Sequence, residues 1–110
     1  MELKNAMITG TKLSNEDHCV LSAWVYLDYG GSGQGFGGHA LYNPDWKNAK
    51  DITGLFIWRV MEVAGVENWD SLKGKTIRVL GDSSHIEAIG HILKDIWFYP
   101  EKEFKAMLDK

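Results

Sequence analysis

Glycine is concentrated in one short stretch of this chain, between two segments with strand-like patterns. Half of the twelve glycines lie in residues 29–38, and residues 33–38 read Gly-Gln-Gly-Phe-Gly-Gly, which matches the spacing G-x-G-x-x-G. A dinucleotide-binding fingerprint needs a helix directly after the glycines and an acidic residue about twenty positions further on. Here a strand pattern and Pro44 follow, and Trp58 stands at that distance. The spacing therefore does not indicate a dinucleotide fold.

The same stretch is predicted to form a glycine-rich loop between two strands. One interpretation is a bulge or wide hairpin whose glycines adopt positive φ. The other is a loop whose bare backbone N–H groups face a ligand, with Gln34 and Phe36 projecting from it. The two interpretations are compatible, and Gly33, Gln34, Gly35 and Phe36 are the ligand-binding candidates in this loop.

Four more residues are candidates for ligand contact by their chemistry. The chain has only two arginines, Arg59 and Arg78, against ten lysines, and arginine is the side chain that grips phosphate with two hydrogen bonds. The positions of Arg59 on a helix flank and Arg78 on the outward face of a strand favour a surface or interface ion pair for each, with ligand contact as the alternative. Trp97 belongs to an aromatic cluster and could stack a base. Asp17 lies in a polar segment, 14–18, where it either closes a local turn or faces a ligand.

The remaining reactive residue types form no convincing catalytic or metal-binding pattern. His85, Glu87 and His91 share one face of an extended chain, but Ile89 interrupts that face, which favours solvated strand residues. The single cysteine, Cys19, excludes an intramolecular disulfide and is interpreted as a small apolar residue. Since no nucleophile motif, carboxylate pair or ligand set is present, we expect no enzyme activity, no metal and no cofactor.

Length and charge narrow the class further. The chain has 110 residues, a net charge of −3 and 45% hydrophobic residues, so one globular domain over residues 1–110 is expected. The slight acidic excess argues against a protein that binds the phosphate backbone of a nucleic acid, because such proteins usually carry an excess of basic residues. No apolar run approaches the roughly 20 residues of a membrane span. A cytoplasmic location is therefore expected, with no membrane partner and no sequence-specific nucleic acid.

The hydrophobic pattern predicts an α+β fold. Residues 19–29 alternate, which places Leu21, Ala23, Val25, Leu27 and Tyr29 on the core face of a strand. Apolar residues recur at helical spacing over 51–64, with Asp51 as N-cap and Gly65 as C-cap. The predicted fold is a small antiparallel sheet of about five strands, with one main helix after strand three and a short C-terminal helix. The predicted strands cover 3–13, 19–29, 36–42, 75–81 and 85–93, and Pro100 is predicted to open the last helix.

Five segments, spread over nearly the whole chain, carry a family resemblance. They are Glu-Asp-His at 16–18, the glycine stretch at 33–38, Gly-Val-Glu-Asn-Trp at 65–69, Leu-Lys-Gly-Lys-Thr-Ile-Arg-Val at 72–79, and Ile-Glu-Ala-Ile-Gly-His-Ile-Leu-Lys-Asp-Ile-Trp-Phe at 86–98. On these segments the chain resembles a family of small proteins encoded by phages and prophages, largely of Gram-positive bacteria. Members often have a tyrosine where this chain has His39 and a glycine where it has Cys19.

The resemblance implies an accessory phage protein that acts in the cytoplasm of an infected or lysogenic bacterium. By analogy with other small phage proteins, two roles against host defence follow. The first is a non-enzymatic protein that binds and sequesters a small nucleotide-derived immune signal, as a homo-oligomer with the site between subunits. The alternative is an inhibitor that binds a host defence protein directly, as anti-CRISPR proteins do. In the first role, loop N–H groups and Arg59 or Arg78 would meet phosphate, and Phe36 or Trp97 would stack a base.

Overall fold

One antiparallel sheet with two helices organises the chain. The computed structural model describes residues 2–46, 51–82 and 84–109. Its strands are β1 (Glu2–Asp17), β2 (Val20–Asp28), β3 (Gly33–Gly37), β4 (Thr76–Gly81), β5 (Ile86–Gly90) and β6 (Trp97–Phe98). The helices are α1 (Thr53–Ala64) and α2 (Pro100–Leu108), with a short 3-10 turn at Trp69–Ser71. The predicted α+β class is confirmed, and β6, too short to carry an alternating pattern, is the sixth strand that the sequence did not predict.

The strand order is β3-β2-β1-β4-β5-β6, and every neighbouring pair is antiparallel. Consecutive strands β1 to β3 form a meander, as the polar links between them suggest. The chain then passes through α1 and returns to pair β4 with the free side of β1. Long β1 therefore joins the two halves of the sheet.

The helices and one face of the sheet enclose the core. Alternation in β2 places Ala23, Val25 and Leu27 in it, as predicted, whereas Leu21 and Tyr29, expected on the same face, are only partly buried. The chain's four phenylalanines meet at its centre, with ring centroids 5.9–6.4 Å apart for the contacting pairs. They come from β3, α1, β6 and α2: Phe36, Phe56, Phe98 and Phe104. Because burying one such side chain contributes about 1.5–3 kcal/mol, this aromatic cluster ties four separate elements into one core.

Gly65 and Pro100 lie at helix ends as predicted, but Asp51 is not the N-cap of α1. The helix begins at Thr53, so Ile52 takes the N-cap position and its side chain makes no capping hydrogen bond. Asp51, one residue earlier, accepts a hydrogen bond from the Thr53 N–H at 2.8 Å, which satisfies a donor of the first turn. Gly65 ends α1 in the left-handed conformation, with φ of 72°. Pro100 opens α2. In the part of the chain that the structure describes, no helix has the length and apolar character needed to cross a membrane.

The glycine stretch is a strand rather than the predicted loop. Residues 33–37 form β3 on the edge of the sheet, so the predicted third strand at 36–42 had the wrong bounds. The connecting loop is shorter and earlier: the Tyr29 N–H donates to Ser32 O at 3.0 Å, and Asp28 accepts from the Gly31 N–H. The glycines make room for Trp24, because a Cβ on Gly35 would lie 2.8 Å from the indole. The Trp24 ring on the neighbouring strand therefore leaves room only for glycine at position 35.

The β1–β2 hairpin also differs from the prediction. Instead of a turn over 14–18, β1 continues to Asp17, which pairs with Val20, and only His18 and Cys19 form the turn. Both have positive φ, 55° and 60°, as a two-residue turn that follows the sheet twist requires. Cys19 is exposed there and does not lie in the core. The Asp17 side chain, a ligand candidate, lies outside the described part of the structure.

Candidate ligand-binding site

A cavity of about 580 Å³ opens on the core side of the sheet, in a part of that face lined by strands and loops and not by α1 or α2. Its walls come from the start of β1, the β2–β3 loop, β3 and the β4–β5 hairpin. The apolar part of the wall includes Val79 and Ile86, and the polar part includes Ser32, Gly33 and Gln34. Small-molecule sites in proteins have volumes of about 300–1,000 Å³, so this cavity is large enough for a ligand of nucleoside size.

Gln34 spans the cavity from one side to the other. With its amide oriented so that the nitrogen donates, the nitrogen reaches Tyr29 Oη and Asp82 O, the latter at 3.3 Å. Its oxygen then accepts from the His85 N–H at 3.0 Å. In the sheet, β2 and β1 lie between β3, which carries Gln34, and the β4–β5 turn. The sheet is therefore strongly curled, and its concave side forms the cavity.

Two carboxylates and one ammonium group surround the cavity mouth. Lys4 Nζ lies 3.4 Å from a Glu2 carboxylate oxygen and 5.2 Å from the centre of the Tyr29 ring. Asp82 accepts hydrogen bonds from the Ser84 N–H, the Ser84 hydroxyl and the His85 N–H. The bonds from Ser84, followed by that from His85, hold the pKa of Asp82 below its ordinary value. Asp82 is therefore an anion throughout the physiological range, and the mouth has a small acidic excess.

Of the predicted glycine-stretch candidates, Gly33 and Gln34 line the cavity. Gly35 lies opposite Tyr26 and directly beneath the Trp24 ring, on the other face of the sheet. Phe36 is 2% exposed and lies in the core, so it does not project toward a ligand as expected. The reason is its register: Phe36 pairs with Val25, and directly paired residues of an antiparallel sheet share a face.

The Arg59 side chain bonds to other groups of the protein itself. Its guanidinium donates to Glu103 at 2.8 Å, to Glu62 on its own helix and to the backbone carbonyl of Trp97. It also lies 5.4 Å from the centre of the Phe98 ring. Burial lowers the pKa of Arg59, but the hydrogen bonds that it donates to Glu103 and Glu62 have the larger combined effect. Together with the charges of these carboxylates, they hold the pKa of Arg59 above its ordinary value. Arg59 therefore fastens α1 to β6 and α2 and lies away from the cavity.

Arg78 and Trp97 lie together, as a stacked pair on the convex face of the sheet. The guanidinium carbon is 4.8 Å from the centre of the Trp97 ring, within range of a cation–π interaction. The Trp97 ring can lie flat on the sheet because Gly90 beneath it has no side chain. A Cβ built on Gly90 would lie only 2.6 Å from the ring. Arg78 also donates to His91 O at 2.7 Å and to Lys94 O at 2.8 Å. The pair therefore orders the loop after β5, on the face opposite the cavity.

No known family model, curated protein or solved structure matches this chain. Within residues 2–46, 51–82 and 84–109, no three His, Cys, Asp or Glu side chains are grouped as a metal site. The candidate site therefore rests on the geometry of the cavity itself.

Most residues of the cavity were not among the sequence candidates, including the charged side chains of Glu2, Lys4 and Asp82. One signal for Lys4 was available. In a strand, Lys4 shares a face with Ala6 and Ile8, both of which are buried. A lysine on the core face of a predicted strand is unusual unless that face opens to solvent. The position of Asp82 across from β3 depends on the curl of the sheet, which the sequence pattern does not reveal.

His39 lies at the edge of the aromatic cluster. Its ring meets Phe104 edge-on at 5.1 Å, and its Nδ1 is buried without a hydrogen-bond partner in the described part of the chain. Burial lowers the pKa of His39, partly opposed by the carboxylate of Glu101 and reinforced by His85. The folded protein therefore favours the neutral imidazole.

We expect acid to destabilise the protein through His39. A histidine whose folded pKa is lowered contributes its full stability above the unfolded value of about 6.5 and loses it as the pH falls below that value. The melting temperature should fall by a few degrees from pH 7.5 to 5.5. His39→Phe keeps the ring contact and should flatten this dependence, whereas His85→Gln, at an exposed site, should leave most of it. An unchanged pH dependence in His39→Phe would contradict the assignment.

Proposed function

We propose that this protein is a non-enzymatic binding protein that sequesters a small nucleotide-derived molecule in the cavity on the concave side of the sheet. The observation that carries the proposal is the cavity of about 580 Å³, crossed by Gln34 and lined by Gly33. Its mixture of apolar wall and a few fixed polar groups is typical of small-molecule sites. Two of the residues singled out by the glycine pattern belong to it.

The charges at the mouth narrow the ligand class. Glu2 and Asp82 are acceptors suited to sugar hydroxyls, as acidic residues are in ribose-binding sites. Lys4 is the one cation of the lining, and Glu2 lies beside it. Both arginines bind groups of the protein instead. The expected ligand is therefore rich in hydroxyl groups and carries one phosphate at most, which favours nucleosides and monophosphates over cyclic oligonucleotides.

The cellular role proposed for this binding follows from the resemblance to phage proteins. A phage protein that holds a host immune signal without cleaving it would lower the free concentration of that signal in the bacterial cytoplasm. Binding of this kind needs no catalytic group. The fraction of the signal that is sequestered would depend on the affinity of the cavity for it and on the amount of this protein in the cell.

The test is a thermal melt of the purified protein against a panel of nucleosides, mononucleotides, ADP-ribose derivatives and cyclic di- and trinucleotides. A ligand at a hundred times its dissociation constant adds about 2.7 kcal/mol to the free energy of unfolding. For a domain of this size, each kcal/mol raises the melting temperature by roughly 4–8 °C. We expect a clear shift with nucleosides or monophosphates and a smaller one with the multiply charged ligands. A flat panel would overturn the proposal and favour a protein target.

Two variants locate the binding. Ser32→Trp places a bulky ring at the mouth from an exposed loop residue, and Lys4→Gln removes the cation of the lining. Both should weaken binding about tenfold or more. The matched control is Lys12→Gln, on the same strand but paired with Trp24 on the convex face. If Ser32→Trp binds as tightly as the wild type, the ligand lies elsewhere.

A further inference from the structure

The loop between β5 and β6, residues 91–96, holds the side chain of a leucine in solvent. His91 Nδ1 accepts hydrogen bonds from the Leu93 and Lys94 N–H groups, each at 3.0 Å. Arg78 fixes both ends of the loop through the carbonyls of His91 and Lys94. Leu93 at its tip is 86% exposed, more than any other large apolar side chain in the described part of the chain. The loop is thus ordered before any partner arrives.

An apolar groove lies at the C-terminal half of α1. Trp58, Met61 and Val66 form its apolar surface, and Glu62 and Glu67 form an acidic rim. Its volume is about 270 Å³, and Trp58 is 66% exposed. The groove is wide enough for one aliphatic side chain, and its rim favours a cation beside that side chain.

The groove and the Leu93 loop are neighbours on one side of the molecule. A Cβ built on Gly65, the residue that ends α1, would lie 3.3 Å from His91 Nε2. Val66 of the groove is the next residue along the chain. A projecting leucine and a receiving groove that lie side by side are what a two-fold interface requires, because each copy then presents both parts to the other.

We propose that two copies of this chain associate about a two-fold axis, each placing Leu93 in the α1 groove of the other. Lys94, which follows Leu93 and is exposed, would then meet the acidic rim at Glu67. Charge complementarity and the match between one leucine and a small groove both favour a second copy as the occupant. Because the loop is already ordered by Arg78 and His91, association loses little conformational entropy there. The proposal is independent of what the cavity binds.

Sedimentation equilibrium on the full chain, from micromolar to millimolar protein, tests this directly. We expect a concentration-dependent dimer for the wild type and at least a tenfold weaker dimer for Leu93→Ser. Leu93 is exposed, so this variant should keep the wild-type circular dichroism spectrum. The matched control is Leu3→Ser, also at an exposed leucine (57%) but on β1, which should leave the dimer unchanged. A wild type that stays monomeric throughout, or a dimer untouched by Leu93→Ser, would overturn the proposal.

A charge exchange identifies the contact between the copies. Glu67→Lys alone and Lys94→Glu alone should each weaken the dimer, since each places like charges together. The double variant restores opposite charges and should recover at least part of the wild-type affinity. If the double variant is as weak as the sum of the two single variants, Lys94 and Glu67 do not meet and the proposed geometry is wrong.

Discussion

Gly37→Ala is expected to lose about 3 kcal/mol or more of the free energy of unfolding. Gly37 has φ of 114°, a conformation that an L side chain rarely adopts. A Cβ there would overlap the backbone carbonyl of Ala23 and lie 3.1 Å from the Phe56 ring. Neither neighbour can move cheaply, because one belongs to the β2 ladder and the other is fully buried. Since small domains have only about 5–15 kcal/mol in total, this loss is a large fraction of the free energy of unfolding, and the urea midpoint of the variant should fall clearly.

Urea unfolding followed by tryptophan fluorescence measures this loss. Gly30→Ala is the matched control: Gly30 also has positive φ, 80°, but nothing lies within 4 Å of a Cβ built there. It should lose only about 1–2 kcal/mol, the cost of the left-handed backbone. Equal losses in the two variants would mean that the packing around Gly37 contributes nothing.

Arg59→Met is expected to lose about 2–4 kcal/mol. The side chain is only 16% exposed, and it joins α1 to Glu103 of α2 and to the backbone of β6. Methionine fills a similar volume but leaves the Glu103 carboxylate half-buried without its cation and the Trp97 carbonyl without its donor. Removing one partner of a partly buried ion pair lowers the free energy of unfolding by more than the intact pair contributes to it. The reason is that the remaining charge stays desolvated without a partner.

Two further variants separate the two ion pairs of Arg59. Glu103→Gln affects the contact between helices, whereas Glu62→Gln affects a partly exposed pair within α1. The Glu62 variant should lose about 0.5 kcal/mol or less, and the Glu103 variant clearly more. Chemical denaturation of the three variants gives the comparison. If Glu62→Gln is the more damaging, Arg59 acts mainly within its own helix.

Local patterns were sufficient to predict the buried centre of β2 and the C-terminal end of α1. Alternation identified Ala23, Val25 and Leu27, and Gly65 marked the end of α1, whereas the helix begins at Thr53, two residues after Asp51. The hairpin at His18 and Cys19 was not predictable in the same way, because neither residue type favours positive φ. The longer register of β1, which continues to Asp17, imposes that turn on them.

The candidate site was harder to predict than the fold. The glycine pattern singled out Gly33 and Gln34, which line the cavity, but Phe36 is a core residue of the same strand. The sequence cannot distinguish a glycine that faces a ligand from one that accommodates a tryptophan on the next strand. It also cannot assign partners to Arg59 or Arg78, because their partners are brought close only by the tertiary fold. Glu2, Lys4 and Asp82 come together through the pairing of β1 with β4, in which Glu2 lies opposite Gly81, and the curl of the sheet brings Gln34 to them.

The hairpin that carries Cys19 also makes the molecule convenient to study. Its thiol is the only one in the chain, is exposed, and lies at the far end of β1 from Glu2 and Lys4. The fourteen residues from Lys4 to Asp17 span roughly 40 Å of strand, nearly the whole 42 Å length of the molecule. A maleimide dye or a biotin tether attached at Cys19 would therefore report on or immobilise the protein without obstructing the cavity, so ligand titrations can be run on a singly labelled wild-type chain.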